Sequence, residues 1–302
     1  MGKVLEKAAA PPRRLTLTFG NCTASTRMNS RILTLGPLTA LALAPPQLMD
    51  VAAAAGLDGI GIRMLPAAPG GMAYRLMDDA ALLRDTLAAK AATGMRVLDL
   101  EMVRIGPAFD VSLYAAFFET GATLGASHVL VAIDDADTSR ATASFAQVCA
   151  ALRPYGLTAD LEFMPWTEAP SLAIARRIVT EAAQPNGGIL VDPLHLVRSN
   201  SAIADIDLVP KAQLHYAQIC DGPATAPATV EGLIHAARCE RLLPGEGAID
   251  LARLFRHLPP GLPVCIETPS ETRAPALGWH AWVREAADAT RKLLALIDQP
   301  SH

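Results

Sequence analysis

The chain has 302 residues, 51% of them hydrophobic and 19% charged, which is ample apolar material for one large core. A net charge of −4 supplies no basic footprint for nucleic acid. No apolar run approaches the ~18 residues of a membrane span, so no membrane helix is expected.

Residues 1–29 differ from the rest. They carry Lys3, Lys7, Arg13, Arg14 and Arg27 against the single acid Glu6, with neither an amphipathic run nor a secretory cleavage pattern. A disordered N-terminal extension is expected there, or a start assigned upstream of a true one at Met28. The five cysteines (Cys22, Cys149, Cys220, Cys239, Cys265) are far apart and form no Cys-x-x-Cys. They are expected as reduced thiols of a cytoplasmic protein, with Cys220 and Cys265 in the core.

From residue 30 to 298, apolar strand-like runs alternate with Ala-rich helical patterns. Arg31–Gly36 reads as a first strand, and Pro45-Pro46 opens a helix that Gly56 closes. Leu57–Arg63 is a second strand. A helix from about Asp78 to Thr93 follows, with Asp78 or Asp79 as cap and Gly94 as stop. Arg96–Glu101, His128–Ile133, Leu157–Phe163, Gly188–Val191, Gln213–Cys220 and Leu262–Thr268 read as the remaining strands. Helices are expected at Asp110–Leu124, within Thr138–Pro154, at Ser171–Ala183, around Ala202–Leu208, at Asp250–His257 and from Trp279 to Ile297. Eight strand–helix units of roughly 34 residues fit a single-domain (β/α)8 TIM barrel. A doubly wound sheet would announce itself with a Gly-rich phosphate turn after the first strand, and Thr34-Leu35-Gly36-Pro37-Leu38 has none.

Four consecutive strand ends in the second half carry polar residues where the apolar run stops. These are Glu162, then Asp192 with His195, then Gln218 with Asp221, then Glu267. In a parallel barrel such tips are neighbours on the face where chemistry sits. Any one carboxylate at a strand end could be a helix cap or a loop acceptor. Several clustered anions without a cation would repel one another. Two glutamates, an aspartate and an amide oxygen suit Mn²⁺ or Mg²⁺, with Co²⁺ or Zn²⁺ compatible. Asp221 reads as a loop or supporting residue. His195 could be a loop histidine, but its place beside a metal site suggests proton transfer. His128, at a strand start, belongs to the opposite, stability face.

Together, Leu161-Glu162, Asp192-Pro193-Leu194-His195, Gln218-Ile219-Cys220-Asp221, Pro244-Gly245-Glu246-Gly247-Ala248-Ile249-Asp250 and Ile266-Glu267 resemble the xylose-isomerase-like sugar phosphate isomerase/epimerase superfamily. The resemblance implies metal ligands Glu162, Asp192, Gln218 and Glu267, with the two glutamates serving as ligand and base together. Ketose epimerases of the family usually carry His at the third ligand position. Gln there is similar to hydroxypyruvate isomerases and 3-dehydroshikimate dehydratases.

The expected activity is a metal-dependent isomerase or epimerase of a small hydroxycarbonyl compound, acting by proton transfer through an enediolate. A dehydratase of a cyclic keto acid is the alternative. A nuclease of the superfamily would need extra histidines and a basic channel, and a binding barrel would need no metal. Arg241 and Arg238, before the Pro-Gly-Glu-Gly turn, are candidate clamps for a substrate anion, and an exposed charge pair with Glu240 is the plainer alternative. By resemblance Arg241 is the better candidate. Arg63 is a further one, with Glu101 orienting it, and Trp166 a candidate wall of the pocket. The resemblance also suggests a homodimer or higher homo-oligomer.

Overall fold

The computed structural model describes residues 1–2 and 31–298; the expected N-terminal extension therefore falls outside the described residues. Eight strands follow in chain order: β1 (Leu33–Leu35), β2 (Gly59–Arg63), β3 (Arg96–Ile105), β4 (His128–Ile133), β5 (Thr158–Glu162), β6 (Gly187–Leu190), β7 (Ala217–Ile219) and β8 (Val264–Ile266). Between and after them come α1 (Pro45–Ala54), α2 (Ala80–Thr93), α3 (Ala115–Leu124), α4 (Thr138–Leu152), α5 (Leu172–Ala182), α6 (Pro193–Arg198), α7 (Val230–Cys239), α8 (Leu251–His257), α9 (Arg273–Leu277) and α10 (Trp279–Ile297).

All pairings are parallel, in the order β6-β5-β4-β3-β2-β1-β8-β7. The two ends of that sheet meet through a parallel bridge between Val191 and Ala217. There the Gln218 N–H donates to the Val191 carbonyl at 3.1 Å. The sheet thus curls into a nearly closed barrel with helices between its strands, the single-domain TIM barrel expected from the sequence.

Local chemistry sets the element ends. The carboxylates of Asp79, Asp137 and Asp250 and the Thr229 hydroxyl accept backbone N–H groups at the starts of α2, α4, α8 and α7. Gly94 and Gly125 end α2 and α3 with φ of 72° and 67°, values a glycine adopts at little cost. Several elements differ from expectation: α6 and α7 stand where no helix was expected, and Ile203–Leu208 form a 3-10 helix. β3 continues to Ile105, pairing with β4 across a register shift between Leu100 and Val103. β7 is shorter than Gln213–Cys220, because Lys211–Gln213 wind into a 3-10 turn after Pro210. The helix α9 was not foreseen; it contains Pro275, a residue that argues against helix in a sequence.

Side chains alternate across each strand, so Thr158, Asp160 and Glu162 share the inner face of β5. The same parity puts Leu190 below Asp192, Tyr216 below Gln218 and Cys265 below Glu267. Leu130, Leu190, Tyr216 and Cys265 form an apolar cluster, separate from the large core between strands and helices. That cluster is the floor on which the polar strand tips stand.

Below it, at the strand starts, lies a second polar group. The Asp160 carboxylate accepts from His215 Nδ1 at 2.6 Å and from the Thr158 hydroxyl at 2.5 Å, and His128 Nδ1 lies 2.7 Å from that hydroxyl. The rings of His128 and His215 stack with centroids 5.8 Å apart. Burial lowers the His215 pKa, but the hydrogen bond to Asp160 more than offsets this and leaves it raised. His128 is on the stability face, as its place at a strand start implied, but it works there with His215, to which the sequence assigned no role.

The His215–Asp160 contact crosses β6 at Gly188. A Cβ on Gly188 would stand 2.5 Å from His215 Nδ1 and 2.6 Å from Asp160 Oδ1. Gly188→Ala is therefore expected to lower stability by about 1–3 kcal/mol through overpacking of a rigid buried pair. Urea denaturation measures this, and an unchanged midpoint would contradict the packing described.

Candidate active site at the barrel mouth

The C-terminal ends of the strands surround a cleft lined by Arg63, Glu101, Arg104, Glu162, Met164, Trp166, His195, Arg238, Arg241 and Glu267, among others. Strand ends deliver the acids: Glu101 lies within β3, Glu162 ends β5, Asp192 follows β6 and Glu267 follows β8. All four are buried, with exposures of 0%, 5%, 0% and 3%.

Two arginines answer them. Arg63 donates through Nε to Glu101 Oε2 at 2.8 Å and through Nη2 to the same oxygen, a buried ion pair. Arg241 is 3% exposed. It donates through Nη1 to Asp192 Oδ2 at 2.6 Å, sets Nη2 3.0 Å from Glu267 Oε2, and donates through Nε to the Ala237 carbonyl at 2.6 Å. Every face of this guanidinium is committed to the protein, so the geometry gives Arg241 a place among the carboxylates rather than on a substrate anion. Burial lowers its pKa, but Asp192 and its neighbours outweigh that and hold it well above the ordinary value.

Asp192 also caps α6, its Oδ1 accepting the His195 N–H at 2.9 Å. This local geometry explains the Asp-x-x-His spacing: the cap fixes the helix turn that carries the imidazole into the cleft. Burial would raise the Asp192 carboxyl, but Arg241, His195 and the capping N–H together bring it below the usual range. His195 is 2% exposed. Its Nε2 lies 3.7 Å from Glu162 Oε1, and its ring stands edge-on to Trp166 at 5.1 Å. Burial, aided by Arg241 and Arg238 against Asp192, drives its pKa down to about 4, leaving a neutral imidazole at pH 7.

The glutamates go the other way. Burial raises Glu162, and Glu267 and Asp192 raise it further, to well above the ordinary value. Burial raises Glu267 most; Arg241 and Arg63 oppose it, Glu101 and Asp192 add to it, and its pKa reaches about 8.

The residues fit a divalent cation on three observations. Four carboxylates (Glu101, Glu162, Asp192, Glu267) face two committed guanidinium groups (Arg63, Arg241), an excess of two negative charges if all ionise. Glu162 Oε1 and both amide atoms of Gln218 are buried without a hydrogen-bond partner, which is costly unless something else engages them. Ligand atoms of Glu162, Asp192 and His195 lie within 4.8 Å of one another. The donor set is oxygen-rich with one imidazole nearby, suited to a hard or borderline ion.

Asp221 lies outside this group. Its Oδ1 accepts the N–H groups of Gly222 and Ile249 at 2.8 and 3.1 Å, and its Oδ2 those of Gly245 and Gly247, both at 3.0 Å. It pins the Pro244–Gly247 turn that follows Arg241. Arg238 and Trp166 line the cleft, also as expected. Arg104, which the sequence reading passed over, lines it too, because β3 runs four residues past Glu101.

Removing Arg241 leaves Asp192 and Glu267 buried without their cation. Arg241→Met is expected to cost roughly 3–5 kcal/mol in the metal-free protein. The loss should be larger at pH 9 than at pH 6, since Glu267 holds its proton up to about 8 and is neutral at the lower pH. Denaturation at the two pH values checks this, and an equal loss at both would contradict the coupling.

Among the described residues no helix is long and apolar enough to cross a membrane. Comparison with curated proteins finds no match. The fold is shared with solved structures of low sequence identity. One is the IolI protein with a bound zinc atom (21% identity, TM-score 0.72, covering 88% of this chain and 98% of that one). Another is the 3-keto-D-glucoside 4-epimerase YcjR from E. coli (16%, 0.66, 88% and 100%). A third is the probable 3-DHS dehydratase AsbF from Bacillus anthracis (12%, 0.67, 86% and 98%). The chain also aligns with a xylose isomerase-like TIM barrel/4-hydroxyphenylpyruvate dioxygenase fusion protein (17%, 0.75), spanning 89% of itself but 43% of the fusion. The family model of the xylose isomerase-like TIM barrel matches residues 49–293. With the barrel and its mouth as described, the chain belongs to the xylose isomerase-like TIM barrel family.

Proposed function

We propose that the protein is a divalent-metal-dependent isomerase or epimerase of a small hydroxycarbonyl compound. The observation that carries this is the pair Glu162 and Glu267, two buried glutamates lining one cleft, both with raised pKa. Glu162, Asp192, Gln218 and Glu267 would hold the cation, with His195 close enough to join. When bound, the cation would acidify the C–H beside a chelated carbonyl.

The chain's own groups do the rest. The glutamate that is ionised removes the proton from the carbon next to the carbonyl, and the one that keeps its proton returns one to the enediolate. Asp192 stays ionised beside Arg241 and fixes the α6 turn. His195, neutral at pH 7, offers a hydrogen bond to a substrate oxygen and steadies Glu162. Trp166 covers His195 and limits water.

A dehydratase reading needs an acid for the departing hydroxyl. With a pKa of about 4, His195 is not an imidazolium at neutral pH, so that acid would be a protonated glutamate, and the product formed tells elimination from proton return.

The test is exchange in D2O. A panel of keto sugars and keto acids with Mn²⁺ should acquire deuterium beside the carbonyl, followed by NMR. Glu267→Gln and Glu162→Gln should each slow exchange by about 10²–10⁴-fold while keeping the wild-type melting profile. Full exchange in both variants would overturn the assignment, and a rise in ultraviolet absorbance from a conjugated product would move it to a lyase. Mn²⁺ should bind more tightly as pH rises towards about 8, because protons on the glutamates compete with the ion. Calorimetry in buffers of different ionisation heat reads the released protons, and pH-independent affinity without proton release would contradict this ligand set.

A further inference from the structure

Four guanidinium groups line the cleft, and three are balanced. Arg63 is on Glu101 and Arg241 on Asp192 and Glu267. Arg104 forks onto Asp134, with Nε and Nη2 at 2.6 and 2.5 Å from its two oxygens. The fourth, Arg238, is half-buried at the end of α7 and has no carboxylate partner among the described residues. Its one hydrogen bond is long, 3.5 Å from Nη2 to the Ala67 carbonyl. Arg104 Nη1 donates to that same carbonyl at 3.1 Å. Two guanidinium groups therefore converge on one carbonyl oxygen with a single carboxylate, Asp134, between them.

This arrangement is unfavourable as it stands. Burial, then Arg104 and Arg63, lower the Arg238 pKa, and the smaller opposing effects of Cys239 and Asp134 leave it lowered. An oxyanion seated between Arg238 and Arg104 would remove the repulsion and supply the fork of acceptors that a guanidinium matches. Among the described residues the remaining cations of the cleft are committed, and its other polar side chains are the acids, His195 and the unpartnered indole N–H of Trp166.

We propose that Arg238 is the anion-binding residue of this site and selects a hydroxycarbonyl substrate bearing a carboxylate or phosphate on the end remote from the glutamates. The identity of the reacting end rests on the function proposed above; the anion subsite itself does not.

Three compounds with a common hydroxyacetyl head separate the two. Dihydroxyacetone is neutral, hydroxypyruvate carries a carboxylate, and dihydroxyacetone phosphate carries a phosphate. Binding of each is measured by calorimetry, once with Mn²⁺ and once with a chelator. At least one anion should bind the wild type about tenfold or more tightly than dihydroxyacetone, and added salt should narrow the gap. Which anion binds more tightly identifies the group. Arg238→Gln should bring the ratio close to one with an unchanged melting temperature, since its only hydrogen bond is long and half-exposed, and Arg238→Lys should restore part of it. A wild type that binds all three alike, one that binds neither anion at millimolar concentration, or an Arg238→Gln variant that keeps the preference would each overturn the proposal. If the preference and its loss are seen equally with chelator, while deuterium exchange is absent, the anion subsite stands and the metal-dependent reaction falls.

Discussion

The structure turns on the guanidinium of Arg241, locked between Asp192 and Glu267 at the mouth of the barrel. Without it, of the four buried carboxylates only Glu101 would keep an arginine partner, Arg63. The cost of that crowding is visible in the protonation of the glutamates, which burial and mutual repulsion push towards neutrality. Arg241 lowers the cost for Asp192 and partly for Glu267 and Glu162, but it makes no hydrogen bond to Glu162 Oε1 or to the amide of Gln218. The partnerless atoms of those two residues lie where a divalent ion would complete the charge balance.

This electrostatic arrangement depends on a scaffold that cannot relax. Consecutive parallel strands fix the tips of β5 to β8 as neighbours. The bridge from Val191 to Ala217 joins the last gap in the sheet, between the strand ends bearing Asp192 and Gln218. Beneath them lies the apolar floor of Leu130, Leu190, Tyr216 and Cys265. Lower still, Asp160 ties β4, β5 and β7 together through His128, Thr158 and His215, with Gly188 leaving the space for that link. A buried ionic group specifying strand register is one use such clusters have, and here it lies at the end of the barrel opposite the mouth.

Much of this was legible in the sequence, and the rest was not for identifiable reasons. The alternation of apolar runs with Ala-rich helices gave the barrel, because period and punctuation are local properties. The acids Glu162, Asp192 and Glu267 were legible because each ends an apolar run. Arg241 was found as a residue, but its partners were not, since a side chain's direction depends on which acids the barrel closure brings near. Arg104 was hidden by the end of β3: Met102-Val103-Arg104-Ile105 continues a strand that appeared to stop at Glu101. His215 and Asp160 lie 55 residues apart, and neither stands in a motif. The one local trace of their contact is Gly188, a glycine within a buried strand, which can signal close approach of another group.

The central claim is that the excess negative charge at the mouth exists to hold one divalent ion. Anomalous diffraction from crystals soaked in Mn²⁺ tests it most directly. The account predicts one strong peak within bonding distance of Glu162, Asp192, Gln218 and Glu267, with Arg241 still in contact with at least one of the acids. No peak at the mouth, or a peak only at His128, Asp160 and His215, would contradict it.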